Sequence, residues 1–259
     1  GQGDLLLLRG CISGGYPLPV LCPSNLTDCW DMAAAAVKTA TNLRTPVILL
    51  TSKEMIMTNK NMDISKLSEV PRAERSLYHG TDEYQPYAVN GNMVPDFLPV
   101  GNGRHQVRSN ASTHDTTGAT QKNSPEALEN TARLKDKIEQ RLDEYTFYEH
   151  DEDKAAGTVI LTYGISAEAA RDAVRGLRTQ GEMISLLVMK TMLPVPSEIF
   201  EILDRYPRIL IAEENLPGLL RELLFGQQKT ERIQRINKIG NMITPLEIIE
   251  GVEACKQPS

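Results

Sequence analysis

The chain has 259 residues, of which 41% are hydrophobic and 24% are charged, an ordinary composition for a globular protein. Its formal net charge of −6 argues against nucleic acid as a partner, because binding to a phosphate backbone needs a basic surface. No apolar run approaches the roughly 20 residues that a membrane span requires, and the first residues do not resemble a signal peptide. We therefore expect a cytoplasmic protein that binds neither a membrane nor a nucleic acid.

The cysteines are too widely spaced to hold a metal by themselves. No CxxC pair occurs, and no histidine lies at the spacing of a zinc or iron–sulfur site. We expect reduced thiols and no metal site built from this chain alone. The four cysteines are Cys11, Cys22, Cys29 and Cys255.

The first 62 residues predict the end of an α/β domain. Residues 2–8 fit a strand or the start of a buried helix, and Gly10 to Pro19 reads as a loop. A short strand over 20–22 ends at Pro23, and Ser24 or Asn25 then caps a helix to about Asn42. The apolar run 46–51 predicts a second buried strand. Two strands are too few for a complete doubly wound domain, so we expect an incomplete one.

Residues 63–156 read as an irregular linker with one charged helix. Prolines and glycines punctuate the segment, and its apolar residues show little periodicity. Ser124 followed by Pro125 predicts the start of a helix that runs to about Tyr145.

Residues 157–259 predict an open α/β domain made of repeated βαβ units. In the first unit, Gly164 ends the first strand and Gly181 ends the first helix. Ser166 is expected to cap the start of that helix. A later helix is N-capped by Thr244, with Pro245 in its first position. The expected strands are 158–163, 184–189, 208–215 and 235–239, and the expected helices are 166–180, 197–206, 218–225 and one from 245.

The sequence contains no motif that indicates a catalytic centre, so we assign no catalytic residue from it. The turn 163–166 could offer backbone amides to an anion or be an ordinary strand–helix turn. Glu213, Glu214 and Asn215 end a predicted strand, where open α/β sheets place ligands, or they form a polar strand end at a subunit contact. Alternation predicts that at most one of the two carboxylates is buried. His114 and Asp115 could relay a proton or form a solvated loop pair.

Several stretches together resemble one family, the α subunits of 2-oxoacid:ferredoxin (acceptor) oxidoreductases of the 2-oxoglutarate synthase type. The similarity covers most of the chain in the same order. The stretches that carry it are Gln2-Gly3-Asp4, residues 20–25, 44–51 and 84–87, His114-Asp115 with Gly118, Tyr163-Gly164, residues 187–194, Glu213-Glu214-Asn215 and Gly218-Leu219-Leu220.

The resemblance implies the C-terminal part of a domain that binds the pyrimidine ring of thiamine diphosphate, followed by a domain like the transketolase C-terminal domain. It implies the oxidative decarboxylation of a 2-oxoacid, with transfer of the acyl group to coenzyme A and of electrons to ferredoxin. Thiamine diphosphate and magnesium would lie at an interface with a partner β subunit, which would also hold an iron–sulfur cluster. Gln2 and Asp4 would lie next to the thiamine site, and His114 and Asp115 near coenzyme A or the substrate.

The sequence also departs from that family. Two cofactor-contacting motifs that precede Gln-Gly-Asp in the family are not in this sequence, and the loop from Gly10 to Pro17 lacks the usual His and Asp. We therefore expect a C-terminal piece of an α subunit, or a split or diverged subunit, that is inactive without β and further α or γ segments. The alternatives are a non-catalytic assembly module and a dehydrogenase E1 β subunit, which shares the C-terminal domain. The incomplete first domain also predicts exposed apolar surface.

Overall fold

A computed structural model describes residues 2–227 and 230–255. Within these ranges, the helices and strands follow one another from a short N-terminal helix to a C-terminal one. The helices are α1 (Leu5–Arg9), α2 (Leu26–Leu43), α3 (Lys53–Met57), α4 (Pro125–Glu139), α5 (Ser166–Thr179), α6 (Ser197–Leu203), α7 (Leu219–Phe225) and α8 (Pro245–Ala254). The strands are β1 (Val20–Leu21), β2 (Ile48–Leu49), β3 (Tyr148–Asp151), β4 (Thr158–Tyr163), β5 (Ser185–Met189), β6 (Thr191–Leu193), β7 (Arg208–Glu213) and β8 (Ile233–Asn237).

A five-stranded sheet in the order β3-β5-β4-β7-β8 forms the centre of the C-terminal half. All neighbours are parallel except β3, which runs antiparallel to β5 at one edge. The inner strands are buried on both faces, as expected for a parallel sheet that is covered by helices. One core contains side chains of α1, α6 and α7, and the other contains side chains of α5 and α8.

A smaller sheet joins the beginning of the chain to the C-terminal half. Its order is β2-β1-β6, with β1 parallel to β2 and antiparallel to β6. The backbone N–H of Cys22 continues this contact by donating to the carbonyl of Lys190 at 2.7 Å. A separate core cluster packs α2 against α4 and the residues that follow it; its buried members are Leu21, Met32, Leu43, Ile138 and Tyr145.

Most of the long elements form where the sequence predicts them, whereas several short elements were missed. The prediction named neither α3, β3 nor β6, and it extended α4 to Tyr145 although α4 ends at Glu139 and a 3-10 turn follows. Strand β8 begins at Ile233, two residues before the predicted start. Between Leu67 and Ser124 the described residues form loops and isolated β-bridges, in line with the predicted irregular segment.

Candidate functional site

Gln2 lies where the beginning of the chain meets the carboxyl ends of β4 and β7. Its side chain is 8% exposed. The amide nitrogen donates to the carbonyl of Tyr163 at 2.6 Å, and the amide oxygen accepts from the backbone N–H of Glu214 at 2.7 Å. The hydroxyl of Ser166 donates to the same oxygen at 3.3 Å. Backbone groups add to this contact, since the N–H of Gln2 donates to the carbonyl of Glu214 at 3.0 Å. We call this set of bonds the Gln2 junction.

The Gln2 junction fills the turn between β4 and α5. Gly164 has a φ of +57°, and a Cβ on it would lie 3.0 Å from the amide nitrogen of Gln2 and 3.3 Å from the Cys22 sulfur. Ser166 does not cap α5 as predicted, because Ile165 precedes the helix and the Ser166 hydroxyl points to Gln2. The ordinary strand–helix turn is therefore the reading that the structure supports.

The prediction that at most one of Glu213 and Glu214 is buried is wrong. Glu213 is fully buried and Glu214 is 6% exposed, because β7 is covered on both faces and the Gln2 segment closes its carboxyl end. The Glu213 carboxylate accepts from the backbone N–H groups of Leu220 at 2.8 Å and Arg221 at 3.3 Å. Burial raises the pKa of both carboxyl groups. Glu213 thus satisfies the free N–H groups of the first turn of α7.

Asn215 completes this arrangement. Its side-chain oxygen accepts from the backbone N–H groups of Gly218 and Leu219 at 2.8 and 3.0 Å. Its amide nitrogen donates to Glu213 at 2.6 Å and to the carbonyl of Gln2 at 3.3 Å. The Glu-Glu-Asn stretch therefore builds the connection from β7 to α7 and anchors Gln2.

Asp4 lies two residues beyond the Gln2 junction. It is exposed and precedes α1, but its carboxylate makes no capping hydrogen bond. The loop that follows α1 is largely exposed from Gly10 to Gly15. Among the described residues, the Asp4 side chain is thus exposed and does not cap α1, whereas the Gln2 side chain is buried and hydrogen-bonded.

His114 and Asp115 lie together in the irregular segment but have different surroundings. His114 is 9% exposed, its Nδ1 contacts the carbonyl of Ser112, and its ring lies 3.8 Å from the ring of Tyr87, centroid to centroid. Its Nε2 is buried without a hydrogen-bond partner among the described residues. Asp115 instead accepts hydrogen bonds from Thr117, Ala119 and Gln121, and the bond from the Thr117 hydroxyl is the main reason that its pKa is lowered.

A charged network that the sequence analysis missed links the Cys22–Asp28 segment to the C-terminal half. Asp28 accepts from the Lys190 ammonium at 2.8 Å and from the Ser24 hydroxyl at 2.5 Å. Burial alone would raise the pKa of Asp28, but these hydrogen bonds outweigh burial and lower it. Arg171 donates to the Ser24 hydroxyl at 2.6 Å and to Glu149 at 2.6 Å. The sequence contains one indication of this network, because Ser24 and Lys190 lie in stretches that carry the family resemblance.

Of the two residues expected next to the thiamine site, only Asp4 has an exposed side chain. The amide of Gln2 is engaged within the chain, and Asp4 is a single exposed carboxylate. Among residues 2–227 and 230–255, no group of three His, Cys, Asp or Glu residues could hold a metal ion. None of the helices in these ranges is long and apolar enough to cross a membrane.

Several curated proteins are similar to almost the whole chain. The 2-oxoglutarate synthase subunits KorA of Methanothermobacter marburgensis and Methanocaldococcus jannaschii are both 26% identical to it, over 258 and 259 residues. These matches cover 98% and 96% of this chain and 68% and 66% of the relatives. The ketoisovalerate oxidoreductase subunit VorB of Methanothermobacter thermautotrophicus is 27% identical, with 97% of this chain and 64% of that protein covered. The chain thus spans about two-thirds of the length of these relatives.

A solved structure shares the fold. It is the 2-oxoglutarate:ferredoxin oxidoreductase from Magnetococcus marinus with 2-oxoglutarate, coenzyme A and succinyl-CoA bound. The TM-score is 0.86 at 21% identity, and the match covers 99% of this chain and 45% of that one. At this identity the likeness establishes the fold, and it confirms the predicted α/β class.

Two family models match the chain in sequence order. The model described as pyruvate flavodoxin/ferredoxin oxidoreductase, thiamine diphosphate-binding, matches residues 1–133. The pyruvate:ferredoxin oxidoreductase core domain II matches residues 156–248. The predicted resemblance is thereby confirmed, and the chain belongs to the pyruvate flavodoxin/ferredoxin oxidoreductase family.

Proposed function

We propose that this chain is part of the α subunit of a thiamine diphosphate-dependent 2-oxoacid:ferredoxin oxidoreductase. The complete enzyme would decarboxylate a 2-oxoacid oxidatively, transfer the acyl group to coenzyme A and pass the electrons to ferredoxin. The observation that carries this proposal is the match to both family models in order, together with relatives that are similar over nearly the whole chain. The predicted domain limits, 1–62, 63–156 and 157–259, belong to the same proposal.

The substrate that we favour is 2-oxoglutarate. The 2-oxoglutarate synthase subunits are similar to this chain over nearly its full length, and they support this choice. The ketoisovalerate oxidoreductase subunits point to a branched 2-oxoacid as the competing substrate.

In the complete enzyme, this chain would hold Asp4 and the loop after α1 in place at one side of the active site. The Gln2 junction fixes the beginning of the chain to the ends of β4 and β7, so that Asp4 and the loop after α1 project from a rigid base. In this proposal Gln2 positions the segment next to the thiamine site, and Asp4 faces the cofactor or the partner that holds it. His114 and Asp115 would lie near coenzyme A or the substrate. The buried Nε2 of His114, which has no hydrogen-bond partner among the described residues, would then bond to one of them.

The cofactors would be held jointly with other chains. Thiamine diphosphate and magnesium would lie at an interface with a β subunit, and the iron–sulfur cluster would belong to that subunit. This division is supported by the carboxylates of Glu213 and Glu214, which accept hydrogen bonds from backbone N–H groups of this chain and so leave only Asp4 exposed near the Gln2 junction.

Exposed apolar side chains support a role within a complex. Trp30 and Val37 on α2 are 42% and 62% exposed, and Ile56 and Met57 on α3 are also largely exposed. The α2 residues line an open apolar groove with a volume of about 770 Å³. Apolar patches of this kind mark protein–protein contacts in soluble proteins.

Affinity purification of the tagged chain from its host tests the proposal. We expect a copurifying chain that carries iron and sulfide, and thiamine diphosphate in the complex but not in the isolated chain. Mass spectrometry identifies the partner, and oxidation to fluorescent thiochrome measures the thiamine diphosphate. A chain that stays monomeric and brings down neither cofactor contradicts the proposal.

The second candidate is a non-catalytic assembly module of such a complex. The absence of the family's His and Asp from the loop between Gly10 and Pro17 favours it. A stable complex that contains the cofactors but reduces no acceptor with any 2-oxoacid would establish this candidate instead.

A further inference from the structure

Five basic side chains gather near the C-terminal end of α2, although the chain carries a net charge of −6. Lys137 is only 3% exposed, and its ammonium donates to the carbonyls of Leu43 at 2.6 Å and Arg44 at 3.3 Å. Arg133 is also buried and donates to the side chain of Asn130 and the carbonyl of Met93. The full set is Arg44, Arg75, Arg133, Lys137 and Arg141.

These cations lack matching carboxylates. Within residues 2–227 and 230–255, only Arg141 of the five forms an ion pair, with Glu144. Nearby Glu74 pairs with Arg72 at 3.0 Å, and the Asp96 carboxylate accepts from the Ser76 hydroxyl. Neutral carbonyl groups satisfy the hydrogen bonds of buried cations without cancelling their charge. An excess of positive charge therefore remains in the cluster.

The cations also repel one another. Burial lowers the pKa of Lys137 to about 8, and the charges of Arg133, Arg44 and Arg141 add to the effect. Burial and the charge of Arg44 lower the pKa of Arg133 as well. A bound anion would relieve this repulsion, and so the cluster is arranged to gain free energy from an anion.

Three of the cations line one cavity of about 180 Å³, to which Arg44, Arg75 and Arg141 come from three separate segments. The guanidinium carbons of Arg44 and Arg75 lie 5.6 and 4.5 Å from the centre of the Phe97 ring. The guanidinium of Arg75 has no hydrogen-bond or carboxylate partner among the described residues, so its donors are available. Asn42, Ser76 and Asn92 add polar groups to the same wall.

The backbone at this cavity is unusual too. Arg44 has a φ of 44°, in the left-handed region, which residues other than glycine seldom adopt. Its side chain donates to the carbonyls of Pro95 at 2.8 Å and Asp96 at 3.0 Å, which fixes the guanidinium against the cavity. The left-handed residue ends α2, where its backbone N–H donates to the carbonyls of Ala40 and Thr41, so the end of the helix sets the direction of this side chain.

We propose that this cavity, the arginine cavity, binds the phosphate group of a small molecule. Guanidinium groups match the geometry of phosphate oxygens and bind them bidentately, and a phosphate dianion cancels more of the excess charge than a carboxylate does. The inference rests on the arginine cavity alone and does not depend on the proposed function.

Titration of the full chain with inorganic phosphate, at constant ionic strength held with chloride, tests this proposal. We expect saturable binding by calorimetry, and a weakening of about tenfold in Arg75→Gln, which removes the free guanidinium. Glu74→Gln removes a negative charge from the cavity wall and should tighten binding. Arg175→Gln is the matched control, since Arg175 is exposed on α5 and pairs with Asp172.

Three results would overturn the proposal. The first is no saturable phosphate binding to the wild-type chain, and the second is an equal loss in Arg175→Gln and Arg75→Gln. The third is tighter binding of acetate or succinate than of phosphate, which would assign the cavity to a carboxylate. Adenosine 3′,5′-bisphosphate and pyrophosphate are titrated in the same way, and tighter binding of either than of inorganic phosphate supports the proposal. Tightest binding of the bisphosphate indicates a nucleotide as the source of the phosphate group, and tightest binding of pyrophosphate indicates a simpler phosphate compound.

Discussion

The Gln2 junction offers the sharpest test of how the beginning of the chain is attached. Gln2→Ala removes the side-chain bonds to Tyr163, Glu214 and Ser166, whose lengths are 2.6, 2.7 and 3.3 Å. A buried donor or acceptor that is left unsatisfied costs about 1–3 kcal/mol. With two short bonds and one long bond lost at a buried site, the free energy of unfolding should fall by about 2–4 kcal/mol.

Hydrogen exchange measures the loss of the Gln2 hydrogen bond at the backbone N–H of Glu214. The backbone N–H of Glu214 donates to the side-chain oxygen of Gln2, so its protection should drop in Gln2→Ala. Gln106→Ala is the matched control, because Gln106 is exposed in the irregular segment. A change in stability below about 0.5 kcal/mol, with unchanged protection at Glu214, would refute the role assigned to the Gln2 junction.

Three further predictions concern the Asp28–Lys190 pair, Gly164 and Glu247. In a double-mutant cycle, Asp28→Asn and Lys190→Met should show a coupling of about 1–3 kcal/mol in urea unfolding, since the pair is largely buried at 2.8 Å; additive effects would contradict this. Gly164→Ala should lower the free energy of unfolding by about 1–3 kcal/mol, and by more than Gly181→Ala does. Both glycines have a positive φ, but of the two only Gly164 has other atoms close to the position of a Cβ. Equal losses of stability in the two variants would contradict the role of packing at Gly164. Hydrogen bonds from Lys238 and Thr244 lower the pKa of Glu247 to about 2, below its ordinary 4.5. The folded state therefore gains stability from the ionised Glu247 above pH 4.5 and loses it as the pH falls towards 2, so Glu247→Gln should flatten the loss of stability in this range.

Local signals in the sequence predicted much of the fold. Asn25 caps α2 by accepting from the N–H of Asp28, and Thr244 and Glu247 form a capping box at the start of α8. Both caps depend on residues three positions apart, which a sequence displays directly. The apolar runs of β4 and β7, which are rich in β-branched residues, likewise predict buried strands.

Elements that depend on distant partners could not be predicted in this way. Strands β3 and β6 are short, and they exist because β5 and β1 lie beside them. The position of Gln2 could be flagged from the family resemblance, yet its partners lie 161 to 212 residues away. The arginine cavity has the same origin, since its three arginines come from segments that only the tertiary fold brings together.

Dye reduction by the purified complex tests most directly the proposal that this chain serves a thiamine diphosphate-dependent 2-oxoacid oxidoreductase. We expect reduction of a viologen dye that requires coenzyme A, thiamine diphosphate and one 2-oxoacid, with 2-oxoglutarate faster than branched or short 2-oxoacids. Reduction that continues without coenzyme A or thiamine diphosphate, or a complex that reduces no dye with any 2-oxoacid, would contradict the proposal.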